Sequence, residues 1–223
     1  MMRILDLLYP PLCPLCGRTL RRSLDTFPLC EACAAELQSI KGNGLCEPQE
    51  VLPDNVGLYY AYRYTGLLRE AVLRYKYKGA LWMAEPFAEL FHKRMLESGG
   101  YGQFDLAAYV PVSGRSLAVR GYDQTLEIVK RIAQKSGLQY VSCFYKKDAA
   151  GDNAADRKNR SERNQEDRYG YTGSPAALRN RSILLIDDIL TTGATLRECT
   201  RILLRQGAGC VFAAVFATGR RDL

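Results

Sequence analysis

No apolar run in this 223-residue sequence approaches the roughly 20 residues that a membrane-spanning helix needs, and the short greasy start MMRILDLLYPP is broken by Asp6 and two prolines. Membrane insertion is therefore not expected, nothing reads as a secretion signal, and a soluble cytoplasmic chain is the expectation. Histidine is almost missing. His92, the only one, sits with Phe87 and Phe91 on a helical segment, where packing or surface is expected rather than catalysis. There is no GxxxxGK[ST], and no GxGxxG follows a strand-like run, which excludes the usual P-loop and dinucleotide-binding turns.

What is present suits one good-sized core: 47% of the residues are hydrophobic, so a wholly disordered chain is excluded. A net charge of +7 favours phosphate-rich partners without choosing among nucleotides, sugar phosphates and nucleic acid. Five of the eight cysteines fall in the first 46 residues. Cys13-Pro-Leu-Cys16 and Cys30-Glu-Ala-Cys33 are paired knuckles whose spacing lets four thiolates converge on one Zn²⁺, and a closed four-thiolate site is structural rather than catalytic. Cys46 has no matching partner, since Gln49 stands three residues on, and is left out of the site. The expected division is a zinc-binding module over 1–46, a linker near 41–57 begun by the loop-like KGNG, and a second domain over 58–223.

That second part alternates strand-like and helix-like stretches. Strands are predicted in VGLYYAYRYTG, LAAYVPV, QYVSCF (139–144), ILLID (183–187) and CVFAAVFA (210–217), and helices over GLLREAVLRYKYKG, 84–97, 123–135 and 192–206. Such alternation predicts an α/β fold with a parallel sheet. Residues 146–170 break the rhythm with seven basic and six acidic residues and read as a loop that is mobile or ordered by ligand.

The richest chemistry lies in SILLIDDILTTGATL, where a buried strand leads to Asp187 and Asp188 and then to a small, hydroxyl-rich turn opening a helix. Thr191, Thr192, Gly193, Ala194 and Thr195 are suited to hold a phosphate, with helix-start N–H groups, the helix dipole and threonine hydroxyls as donors. The carboxylates would repel that phosphate, so they are read as gripping sugar hydroxyls, directly or through Mg²⁺. Phosphate and hydroxylated sugar together indicate a ribose phosphate.

The string resembles the ribose-phosphate signature of type I phosphoribosyltransferases, which bind phosphoribosyl pyrophosphate with Mg²⁺. In order, the double CxxC, LRYKYKG, VPVSGRSLAVRGYDQ and IDDILTTGAT resemble the ComF (ComFC/GntX-like) family along nearly the whole chain. The resemblance implies a zinc module joined to a phosphoribosyltransferase-like domain, and a role in natural transformation with single-stranded DNA and competence or DNA-processing proteins as partners. It assigns diphosphate binding to Pro111, Val112 and Ser113 with Arg115, and brings in Arg120 and Lys76. It also leaves open a non-catalytic protein that handles single-stranded DNA. Arg120-Gly-Tyr-Asp123-Gln124 is similar to the family's RGFNQ, with an acceptor-only carboxylate at 123 in place of an amide; the 153–164 stretch departs from the family's Arg- and Asn-containing loop, with Arg163 and Asn164 as its counterparts. If transfer occurs, Asp187 and Asp188 with Mg²⁺ would stabilise the oxocarbenium-like ribose left when pyrophosphate departs. For DNA, the expected surface is basic and aromatic: Arg63, Arg74, Lys76, Lys78 and the 146–168 loop, with Tyr62, Tyr64, Tyr75 and Tyr77 available for stacking if exposed.

Overall fold

The computed structural model describes residues 11–20, 29–46, 52, 56–147 and 168–220. Six strands make the main sheet: β1 (Lys41–Cys46), β2 (Gly57–Arg63), β3 (Leu106–Tyr109), β4 (Tyr140–Val141), β7 (Ser182–Leu190) and β8 (Cys210–Thr218). Their order is β1-β2-β8-β7-β3-β4, parallel throughout except for β1, which runs antiparallel along β2. A separate hairpin pairs β5 (Phe144–Lys146) with β6 (Tyr169–Tyr171).

Period-two alternation divides the strands between two buried layers. Tyr59, Leu184, Ile186 and Phe216 face one cluster, with the helices α2 (Gly66–Tyr77), α3 (Ala84–Glu97) and α5 (Gln124–Ser136). Leu58, Ile183, Leu185 and Val215 face the other, covered by α6 (Ala194–Arg205) through Leu196, Cys199 and Leu203. The cysteine module, with α1 (Glu31–Ser39), packs on the first layer, where Leu15 and Leu37 join the same cluster. From β3 the chain runs outward through α4 (Gly114–Arg120) and α5 to β4, whereas β7 leads the opposite way through α6 to β8. The crevice at the carboxyl ends of β3 and β7 is thus a topological switch point, the usual ligand position in such sheets.

The structure departs from the sequence reading at several places. Residues 41–46, expected to begin a linker, form an edge strand. A Cβ at Gly42 would lie 2.2 Å from the Tyr60 carbonyl oxygen, so glycine permits the close approach, and Arg94 Nη2 donates to the Gly42 carbonyl at 2.8 Å. QYVSCF is not one strand: it breaks at Ser142, so that β4 pairs with β3 and β5 turns away to β6. Ser142 Oγ there lies 2.9 Å from the Tyr109 hydroxyl. The ends of the charged insertion form a hairpin neck closed by Lys147 N–H donating to the Arg168 carbonyl. Its residues 148–167, with Arg163 and Asn164, lie outside the described residues.

Packing takes part of the expected DNA surface, most of whose 146–168 loop lies outside the described residues. Tyr62 and Tyr75 are buried, Arg74 is bound to backbone carbonyls of the cysteine module, and Lys76 is paired with Asp188. Tyr77 and Lys78 remain exposed. His92 stacks on Tyr101, as packing would have it, with Nδ1 3.2 Å from the tyrosine hydroxyl. No helix among the described residues is long and apolar enough to cross a membrane.

Candidate functional site

A cavity of about 200 Å³ opens at the switch point. Its floor is the end of β7, which continues to Leu190 and therefore carries Asp187 and Asp188 within the strand rather than beyond it. Lys76, Pro111, Val112, Ser113, Arg120 and Thr195 line the same cavity. A smaller cavity adjoins it through Asp187, Ile189 and Thr195, and is walled by Thr191, Thr192, Gly193 and Ala194. Arg115 is exposed on α4 and lines neither.

Each wall has a local cause. Gly193 takes φ 77°, a left-handed conformation that turns the chain out of β7 and into α6, which begins at Ala194, two residues later than a start at 192 would have it. The first turn of α6 therefore lines the smaller cavity through Ala194, Thr195 and Leu196, with the positive end of the helix dipole behind it. At the opposite wall, Ser113 caps α4 by accepting the Ser116 N–H at 3.1 Å. Asp123 caps α5: Oδ1 accepts from Thr125 and Leu126 N–H, and Oδ2 from Val112 N–H, all at 3.0 Å. That explains a carboxylate at 123, since all three partners are donors. It also takes the Val112 N–H, leaving one fewer backbone donor in the 110–113 turn than the sequence suggested. Burial pushes the Asp123 carboxyl up, against those same three hydrogen bonds.

Charges in the cavity form one chain. Lys76 Nζ lies 2.8 Å from Asp188 Oδ2, and Gln124 Nε2 donates to the same oxygen at 2.8 Å. Gln124 Oε1 in turn accepts from Arg120 Nη1 at 2.7 Å, and the Arg120 guanidinium lies 4.9 Å from the Tyr77 ring centroid. Burial works against the Asp188 carboxylate, yet Lys76 and Gln124 hold it below its ordinary value. Burial, then the charge of Asp188, pushes Asp187 well up. Lys76 is raised, because Asp188 outweighs the burial that would lower it. The result is an acidic floor with one carboxylate compensated and the other not, beneath two cations and beside a helix N-terminus.

Sequence reasoning missed Gln124 as a bridge, since RGYDQ signalled only a motif. It also missed Lys146 and Tyr169, which line the cavity from the hairpin neck with Nζ 5.4 Å from the ring centroid. Only their position flanking the charged insertion could have pointed to them.

On the far side of α2, Cys13, Cys16, Cys30 and Cys33 bring their sulfurs within 4.8 Å of one another. In a tetrahedron of roughly 2.3 Å Zn–S bonds the sulfurs stand about 3.8 Å apart, and Cys16 and Cys30 are 3.6 Å apart here. Gly17, at φ 74°, makes the first knuckle's turn, donating its N–H to the Cys13 carbonyl. Cys30 immediately precedes α1, so Cys33 follows it by about one helical turn. Burial and the neighbouring thiols raise Cys33, while backbone hydrogen bonds outweigh burial and bring Cys13 to about 7. Four cysteines clustered this closely can close on one cation as thiolates, and the donor set fits structural zinc.

Two family models match: a double zinc ribbon domain over 4–48 and a phosphoribosyl transferase domain over 127–223. "Competence protein ComFC" of Streptococcus pneumoniae is 26% identical over 220 residues, covering 88% of this chain and 94% of that protein. Over most of its length the chain is thus similar to competence proteins of the ComF type. "Competence protein F" of Haemophilus influenzae is 24% identical over 196 residues (84% of this chain, 83% of that one). "Competence protein ComFC" of Bacillus subtilis is also 24% identical over 196 residues, a match that covers 88% of this chain and 72% of that protein.

Proposed function

We propose that the chain binds phosphoribosyl pyrophosphate with Mg²⁺ in the switch-point cavity and transfers the phosphoribosyl group. The observation that carries this reading is the segregation of charge: paired carboxylates on the floor, Lys76 and Arg120 at one wall, and the N-terminus of α6 at the other. The 5-phosphate is assigned to the turn at 191–195, the ribose hydroxyls to Asp187 and Asp188, and the diphosphate to Lys76 and Arg120, whose cations suit a departing pyrophosphate. The raised Asp187 carboxyl fits a divalent cation, because burial and Asp188 leave its charge uncompensated. Mg²⁺ held there would neutralise the diphosphate and the floor together. Asp187 and Asp188 then offset positive charge developing on the ribose, while Gln124 keeps Asp188 and Arg120 in register. The similarity to competence proteins supports a place in DNA uptake.

Isothermal titration calorimetry with phosphoribosyl pyrophosphate and Mg²⁺ tests the assignment. Hydrogen bonds to charged groups are worth roughly 1.5 to 3 kcal/mol each, so Asp187→Asn/Asp188→Asn should bind at least about tenfold more weakly while remaining folded. Unchanged affinity in that double variant would reject it.

A further inference from the structure

The cysteine module grips helix α2 at both ends. At its start Thr65 supplies no side-chain cap, and Glu36 Oε1 accepts the Leu67 N–H instead, at 3.0 Å. Near its end Arg74 Nη2 donates to the carbonyls of Pro14 (3.0 Å) and Leu15 (2.6 Å), both inside the Cys13–Cys16 knuckle. Lys76 follows two residues later. A two-residue step turns about 200° around a helix, so Arg74 and Lys76 leave opposite sides of the same turn: one reaches the cysteines, the other Asp188 at 2.8 Å.

We infer that the module is a clamp that sets the position of α2 and thereby holds Lys76 against Asp188, with Arg74 and Glu36 as positioning residues for the cavity. The two carbonyls converge on Arg74 because the knuckle between Cys13 and Cys16 is turned tightly, so the metal-binding knuckle and the cavity lysine are joined through one guanidinium. Tyr75 holds the same turn from the α5 side, its hydroxyl donating to the Gln124 carbonyl at 2.9 Å. The clamp therefore tunes the placement of Lys76 within a turn that stays formed. Its consequence for substrate rests on the donor site proposed above; its effect on Lys76 does not.

Two readouts separate these. The first is acetic anhydride labelling of Lys76, quantified by mass spectrometry against exposed Lys78, which needs no substrate. Arg74→Ala, with zinc content and thermal midpoint measured on the same sample, should raise Lys76 labelling about threefold or more. Glu36→Ala should act in the same direction, and Arg74→Lys, which retains a donor, should restore most of the protection. The second readout is calorimetric affinity for phosphoribosyl pyrophosphate with Mg²⁺. It should fall about tenfold in Arg74→Ala, and by less than about twofold when the same change is made in a Lys76→Met background. A wild-type chain that binds no donor defeats the proposed function and leaves labelling to judge the clamp. Unchanged Lys76 labelling in zinc-loaded Arg74→Ala overturns the inference, as does an equal affinity loss in the Lys76→Met background. If Arg74→Ala does not fold, unchanged labelling in Glu36→Ala overturns it.

Discussion

Replacing Lys76 by Met removes the ammonium that lies 2.8 Å from Asp188 and leaves two adjacent carboxylates on a largely buried floor. The side chains of Lys76 and Asp188 are only 16% and 12% exposed, so solvent screens the pair weakly. Breaking one partner of a buried pair costs roughly 3 to 5 kcal/mol, and for a chain of this size about 3 kcal/mol corresponds to a fall of roughly 6 to 12 °C in Tm. Asp188→Asn should cost less, because it also relieves Asp187. The double variant should recover about 2 kcal/mol of coupling in a double-mutant cycle measured by urea denaturation at pH 7. The pH dependence follows from the shifts. Asp188 is held below 3.8 in the folded chain, so its contribution is present above that value and is lost as pH falls through the folded pKa. Lys76 is raised above 10.5, so its contribution is present below that value and is lost as pH rises through the folded pKa. The pair's stabilisation is therefore complete between roughly pH 4 and 10.5. Additive single losses, or a Lys76→Met chain as stable as wild type at pH 7, would refute the reasoning.

Asp187 works in the opposite sense: its folded pKa is raised, so its contribution is fullest below 3.8 and is lost as pH rises through the folded value. Asp187→Asn should accordingly stabilise the ligand-free protein at pH 7 by about 1 kcal/mol while weakening donor binding, a stability-for-function exchange read by urea denaturation beside calorimetry. Native mass spectrometry of freshly purified protein should find one zinc per chain, and none would contradict the four-thiolate site. Metal binding to such sites supplies on the order of 10 kcal/mol, so a strong chelator should unfold the cysteine module and lower the cooperativity of unfolding.

Local chemistry was what the sequence made legible. The two knuckles and the strand, carboxylates and turn of 182–195 each lie on one short stretch, and their spacing alone carries the geometry. The amphipathic helices were equally readable, because α3 and α5 repeat their buried positions every three or four residues. What escaped depends on distant partners. KGNG becomes a strand only because β2 and Arg94 accept it, and Arg74 reads as a surface cation until Pro14 and Leu15 are seen beside it. Gln124, Lys146 and Tyr169 entered the cavity by the same route, through contacts across the fold that no spacing encodes. Of the tyrosines in AYRYTG and RYKYKG, Tyr62 and Tyr75 are core, because a strand and a helix packed on each other bury their facing aromatics, whereas Tyr77 stays exposed.

The central claim is that one ligand bridges the turn at 191–195 and the cations of Lys76 and Arg120. The ³¹P spectrum of phosphoribosyl pyrophosphate with Mg²⁺, recorded during titration with the protein, reads both ends of that ligand at once. The account predicts that the 5-phosphate and the diphosphate resonances broaden or shift together. It further predicts that Lys76→Met diminishes the change chiefly at the diphosphate. A titration that perturbs neither end, or moves the diphosphate alone, would contradict it.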